Sequence, residues 1–264
     1  MRKILQRSNG SLNIELKDNE VKKLFQSGSS KVLLPNSYNE NKELVLINTT
    51  GGITCNDTVR SNIIIENSQA SISSQAAEKI YAGIGDPAEV NIDITLKKSD
   101  LNWFPKELIL FNNSKLKRRI NINLDNSSNL IFCETSILGR KAMLEKIENI
   151  FFSDIWKIHL GSKLKHVESI NMNGNTKNIM MNKFAFKNNT SFSTILIFGE
   201  IIEKLKNDLK KIIDEIDNIF CEISIWDNKI VIRSMSNDNY DLKKKLNYIF
   251  ENIINDKLPK NWNL

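Results

Sequence analysis

Apolar and polar residues alternate along much of the first two-thirds of the chain. Val90, Ile92, Ile94 and Leu96 are separated by Asn91, Asp93, Thr95 and Lys97. Leu116, Arg118, Ile120, Ile122 and Leu124 form a second run with the same period. A period of two gives a strand one buried and one wet face. The turn formers Asp125-Asn126-Ser127-Ser128-Asn129 follow the second run, and residues 130–134 are again strand-like. That order predicts an antiparallel hairpin. Asn171-Met172-Asn173-Gly174-Asn175 predicts another turn. Further strands are predicted at 31–34, 44–48, 58–66, 70–74, 155–160, 167–172, 194–198, 220–226 and 229–235. Trp226-Asp227-Asn228-Lys229 is a tight-turn signal between the last two.

The period changes near the C-terminus. Within 200–217 the apolar positions are Ile202, Leu205, Leu209, Ile212, Ile213 and Ile216. Within 240–255 they are Leu242, Leu246, Ile249, Phe250 and Ile253. Steps of three and four predict two amphipathic helices, each covering a sheet or a partner. Asn239 is a candidate cap for the second. No Pro- or Gly-rich linker divides the chain. Residues 1–264 therefore read as one large domain, mostly β, with antiparallel strands and the two late helices packed beside the sheets.

Composition narrows the class. Apolar residues are 41% and charged residues 26%, close to the globular average, which excludes collagen, coiled coil and a disordered chain. The longest apolar runs, such as 193–198 and 108–111, fall far short of the roughly 18 residues of a spanning helix. The opening Met1-Arg2-Lys3-Ile4-Leu5 has charge without a long apolar stretch behind it, so no secretory signal is expected. The net charge of +6 is mild and well mixed. A nucleic-acid binder more often shows a basic stripe with interleaved aromatics. The densest cluster, Lys115-Leu116-Lys117-Arg118-Arg119, fits the wet face of a strand or a phosphate patch. Cys55, Cys133 and Cys221 are odd in number and widely spaced, which points to a reducing cytosol and no disulfide framework.

Catalytic equipment is sparse. There is no Gly-rich phosphate loop and no Gly-x-Ser-x-Gly elbow. His159 and His166 do not make a metal pair, and three cysteines without Cys-x-x-Cys cannot build a zinc site alone. Nothing in the sequence sets a base beside a Cys or Ser nucleophile.

Six collinear segments carry a family likeness. They are Ser27-Gly28-Ser29-Ser30-Lys31; Ile47-Asn48-Thr49-Thr50-Gly51-Gly52-Ile53-Thr54, running on to Asp57; and Ser74-Gln75-Ala76-Ala77-Glu78-Lys79-Ile80-Tyr81. Then come Leu101-Asn102-Trp103-Phe104-Pro105-Lys106-Glu107-Leu108, Glu134-Thr135-Ser136-Ile137-Leu138-Gly139-Arg140, and Leu258-Pro259-Lys260-Asn261-Trp262. In this order and spacing they resemble the UreD family of urease accessory proteins, called UreH in some bacteria. The resemblance implies a cytoplasmic protein that is not an enzyme and holds no tight cofactor. It implies binding to UreF and, through it, to the GTPase UreG. It also implies docking on the urease apoprotein to insert nickel, with nickel(II) passing through an internal tunnel. Neither nucleic acid nor membrane is among the implied partners. The implied fold is mostly β, helically wound, with two helices. One departure is local: Cys55-Asn56-Asp57 stands where the family usually has Gly-Gly-Asp. If that turn needs positive φ, Asn56 tolerates it better than Cys55.

Ni(II) prefers imidazole and thiolate, while carboxylates hold it more loosely and so suit release. Asp57, Glu78, Glu107 and Glu134 lie in the matched segments and are candidate tunnel or interface carboxylates. Each has a structural reading beside the functional one. Asp57 can bond its own turn, Glu78 can pair with Lys79, Glu107 with Lys106, and Glu134 with Arg140. Trp103 is a core residue or a partner anchor, and the proline after Phe104 limits this stretch to an edge strand or a strand end. Gly139 and Arg140 can end a strand with a turn, the arginine docking a carboxylate. Cys55, His159 and His166 are further ligand candidates. The rival reading is a stand-alone β-rich hydrolase using Glu107 with Glu134 as its paired acids.

Overall fold

The computed structural model describes residues 6–36, 41–143, 145–183, 185–217, 219–254 and 258–262. Strands make up 56% of it and helices 15%, so the mostly β expectation holds. The chain starts with an antiparallel ribbon, β1 (Asn9–Lys17) and β2 (Glu20–Gly28). β3 (Ser30–Leu33) and β4 (Lys42–Asn48) form a second antiparallel pair. The chain then winds through β5 (Thr58–Glu66), β6 (Gln69–Gln75), β7 (Glu78–Ile80), β8 (Ala88–Lys97), β9 (Asp100–Phe104), β10 (Leu108–Leu110), β11 (Lys115–Leu124), β12 (Asn129–Leu138) and β13 (Asn149–Leu160). The remaining elements are β14 (Lys163–Asn175), α1 (Lys177–Met181), β15 (Ser191–Phe198), α2 (Ile201–Asp214), β16 (Phe220–Trp226), β17 (Lys229–Ser236) and α3 (Asn239–Ile253).

The winding passes strands alternately to two sheets. One sheet has the order β14-β13-β11-β8-β5-β1-β2, the other β16-β17-β15-β12-β9-β6-β4-β3. The coiled strands β5, β8, β11 and β13 run parallel in the first. β4, β6, β9 and β12 run parallel in the second. β10 pairs with the end of β12 on one side and with β7 on the other, adding a short third wall. The register stacks like on like. Ile14, Ile63, Ile94, Ile122 and Ile158 lie side by side across five strands, and all are fully buried. Burying such a side chain contributes roughly 1.5–3 kcal/mol each. A second apolar layer joins the other sheet to α2 and α3, through Ile195, Ile197, Ile230 and Ile232 against Leu209, Ile213, Leu246 and Phe250.

Several local expectations hold. Residues 58–66 and 220–226 form strands with the expected bounds, and Asp227 and Asn228 take φ of 46° and 52° in the turn between β16 and β17. Both helices form. Others are corrected. Residues 116–124 and 130–134 are not a hairpin. β11 pairs in parallel with β8 and β13, and β12 pairs with β9 and β15 in the other sheet. The turn after Leu124 hands the chain across the core, and alternation alone does not encode which partner a strand takes. The central strands are parallel, with antiparallel pairing at the margins. Asn171–Asn175 is not a turn but the end of the margin strand β14, where exposed Asn and Gly are tolerated. β9 is not an edge strand, having β6 and β12 on either side, yet it does end before Pro105. The cap of α3 is Asp238, whose side chain accepts from the Tyr240 N–H at 2.8 Å. β1 and β2 were not anticipated. The expectations at Met1–Leu5 and Asn255 lie outside the described residues.

Candidate functional site

A cavity of about 200 Å³ opens between the two sheets and the short third wall. Its floor is a buried ionic network. Arg118 projects from the inward face of β11, in phase with Leu116 and Ile120. Its Nε and Nη2 donate to the two carboxylate oxygens of Asp154 at 2.9 and 2.6 Å, a bidentate pair. Its Nη1 donates to Glu134 Oε2 at 2.8 Å. The indole N–H of Trp103 donates to the other Glu134 oxygen at 2.8 Å. Trp156 donates to Asp154 at 2.8 Å. The register explains the meeting: Arg118 faces Asp154 directly across β11 and β13. Burial alone would lower the pKa of Arg118; Asp154 and Glu134 outweigh it and hold the guanidinium charged. Burial raises the pKa of Glu134 against the pull of Arg118 and Trp103.

The wall is the segment from Ser74 to Ile80 with Pro105 and Lys106, and Asn48, Gly51 and Gly52 border it. Gly52 sits at φ +152°, and a Cβ there would meet the Tyr81 ring at 2.4 Å. Only glycine allows that approach. Glu78 opens β7 and faces this space. Its carboxylate accepts from Asn48 Nδ2 at 3.1 Å. Burial pushes its pKa up to about 7, against weaker downward pulls from Asn48 and Arg118. A carboxylate raised in this way costs stability once it ionises. That cost is absent below the unfolded value and complete above the folded one. Glu78→Gln is therefore expected to stabilise the chain at pH 8 and leave it nearly unchanged near pH 4. The shift sets a ceiling of about 3 kcal/mol, reduced because the side chain keeps some contact with water. Urea midpoints of both proteins across that range check this; a flat difference would show that Glu78 titrates normally.

Of the four carboxylates singled out, Glu78 and Glu134 line this cavity, and Asp57 and Glu107 do not. Glu78 pairs with Asn48 and not Lys79, and Glu134 pairs with Arg118 and not Arg140. Glu107 sits 3.8 Å from the Nζ of Lys243 on α3, and its charge also acts on Lys106. Of the two acids in the hydrolase reading, Glu134 is held by Arg118 and Trp103, while Glu107 lies outside the cavity beside Lys243. Trp103 is a core residue at 1% exposure, packed on Phe132. His159 and His166 sit on opposite arms of the β13–β14 hairpin, and His166 contacts Glu168 at 3.3 Å. Among the described residues no three His, Cys, Asp or Glu side chains converge as a metal cluster. Nor is any helix among them long and apolar enough to cross a membrane.

The family model for the UreD urease accessory protein matches residues 8–260. The chain belongs to the UreD urease accessory protein family. It is 31% identical over 247 residues to the urease accessory protein UreD of Rhizobium leguminosarum bv. viciae, covering 92% of this chain and 89% of the relative. It is 32% identical over 244 residues to that of Agrobacterium fabrum, covering 91% and 84%. UreD 1 of Brucella abortus biovar 1 is 29% identical over 272 residues, covering 98% and 95%. The UreD match takes in the cavity, its ionic floor and both late helices.

The local departure from the UreD pattern is accommodated. Asn56 holds φ +67°, and Cys55 is buried beside it. Asp57 accepts from the N–H groups of Ser8 at 2.7 Å and Thr54 at 2.9 Å, so it ties the turn to the start of β1. Gly139 ends β12 at φ +80°, and Arg140 docks Glu145 at 2.9 Å while lying over the Phe111 ring. Arg118 and Asp154 were missed as site residues. The signal was present: Arg118 shares the phase of its apolar neighbours, so it had to point inward with them. The basic cluster is split accordingly, with Arg119 exposed and Arg118 buried.

Proposed function

We propose that this chain helps load nickel into the urease apoprotein, as a cytoplasmic, non-enzymatic scaffold that holds UreF and, through it, the GTPase UreG. Nickel(II) is the cargo, and the cavity between the sheets is its passage. Family membership supports the urease role. The observation that carries the passage is that Glu78 and Glu134 face one cavity. Arg118 carries one positive charge against the two carboxylates of its network, so the floor gains surplus negative charge, which favours a cation, when Glu134 gives up the proton that burial favours. Glu78 is mostly neutral below about pH 7 and charged above it. Carboxylate oxygens hold Ni(II) loosely enough to let it leave.

Co-expression with UreF and UreG, followed by affinity capture and size exclusion, tests the scaffold. Co-elution as one complex is expected; a lone monomer under those conditions would break the reading. The passage has its own test. Glu78→Gln is expected to leave complex formation intact and to lower the nickel content of urease matured with it. In the native system, loading is expected to weaken as pH falls through about 7, where Glu78 gains its proton. Unchanged nickel content in the variant would remove Glu78 from the path.

A further inference from the structure

The cavity wall is tied from behind to the C-terminal turn. Trp262 is 1% exposed and packs on Phe104 and Phe250, with ring centroids 5.4 and 5.6 Å away. Its indole N–H donates to Asn247 on α3 at 2.8 Å. From this anchored ring two bonds run to the wall. Lys106 Nζ donates to the Trp262 carbonyl at 3.0 Å, and Asn261 Nδ2 donates to the Ser74 carbonyl at 3.1 Å. Ser74 and Lys106 are themselves joined, the Lys106 N–H donating to Ser74 Oγ at 2.8 Å. Both residues line the cavity.

The same turn reaches Glu78 by a second route. Lys243 of α3 places Nζ 3.5 Å from the centroid of the Trp262 ring. That Nζ stands 3.8 Å from Glu107 and has no hydrogen-bond partner among the described residues. The Glu107 carbonyl accepts the N–H of Glu78 at 2.9 Å. The turn therefore grips Ser74 at one end of the wall segment, and Lys243 braces the residue that holds Glu78 at the other.

We infer that the C-terminal turn, through Asn261, Trp262 and the Lys106 and Lys243 that meet it, positions the cavity wall and sets how readily the segment from Ser74 to Ile80 opens. Neither Asn261 nor Trp262 lines the cavity; they act through the residues that do. Anything that displaces α3 or this turn loosens the wall without touching Glu78. The positioning is a property of the wall itself. Only its consequence for nickel rests on the proposed passage.

Amide hydrogen exchange on the full chain, free of metal, tests the coupling. Asn261→Ala and Lys106→Met each remove one tie, and the Lys106 backbone bond to Ser74 survives in the second. Each is expected to speed exchange at residues 74–80 about fivefold, the worth of one net hydrogen bond, with β5 and β8 unchanged. Lys106→Arg keeps a donor near the Trp262 carbonyl and is expected to restore slow exchange. Trp262→Ala removes the anchor and is expected to exceed either single tie. Native-like exchange at 74–80 in both tie variants would overturn the inference, as would an equal rise across β5 and β8. Nickel binding is read separately by titrating nickel alone. A silent titration would remove the passage and leave the exchange result standing.

Discussion

Arg118→Met is expected to cost about 3–5 kcal/mol of unfolding stability at pH 7. Removing one member of a buried ionic group strands its partners. Here the stranded groups are Glu134 and Asp154, at 4% and 1% exposure, with no other cation in hydrogen-bond contact with either among the described residues. The Trp103 and Trp156 indoles remain as donors but bring no charge. Urea unfolding at pH 7 measures the loss. The deficit should narrow as acid neutralises the stranded carboxylates. Adding Glu134→Gln and Asp154→Asn to the variant is expected to recover most of it, since a neutral group of similar shape avoids the charge penalty. A loss under about 1 kcal/mol would mean that water reaches the network and screens it.

Phe104→Ala is expected to cost a further class of stability, about 3–5 kcal/mol, by leaving a cavity that the core cannot refill. Phe104 is fully buried and stands at the junction of β9 with the helical layer. Its ring lies 4.7 Å from Phe250 and 5.4 Å from Trp262. Pro105 follows it directly, so the backbone cannot easily shift to close the gap. For a chain of this size the loss lowers the melting temperature by about 10 °C. Calorimetry checks that, and near-ultraviolet circular dichroism should report a freed Trp262. Phe104→Leu, which keeps most of the volume, is expected to lose less than half as much.

Much of the fold could be read from residue order, because period and phase are local properties. The Val90–Leu96 and Leu116–Leu124 alternations fixed which side chains face inward, and the structure keeps that phase throughout. Ile202, Leu209, Ile212 and Ile213 did the same for α2, and all are buried. Partner choice was not legible. Leu124 to Leu130 looked like a hairpin because a polar turn between two strands has the same composition whether it reverses the chain within a sheet or crosses the core. β1 and β2 differ in what their sequences reveal. β1 carries the alternating stripe Leu12, Ile14 and Leu16, which was there to be read, whereas β2 is exposed on both faces and has no buried stripe to reveal it. The candidate site was half legible. Glu78 and Glu134 were found through family segments, yet their true partners, Asn48 and Arg118, lie 30 and 16 residues away and could not be paired by proximity. Lys243 gave no signal at all, since a lysine in Lys243-Lys244-Lys245 reads as a solvated helix face.

The parallel coil has a kinetic consequence. Thr58 faces Glu89, 31 residues on, and Ala88 faces Leu116, 28 residues on. Within the parallel coil from β4 to β12, a strand must therefore wait for about thirty more residues before its next neighbour exists. Contacts of that separation are slow to form, because the loop must close before any pairing rewards it. On the ribosome the first sheet can grow only in step with synthesis, each new strand roofing the one before. β12 closes its far margin only when β15 emerges, and α2 and α3 come last. Until then the apolar face those helices cover lies bare. The nascent chain thus passes through a long interval in which a chaperone, or an early-arriving partner, has the most surface to hold.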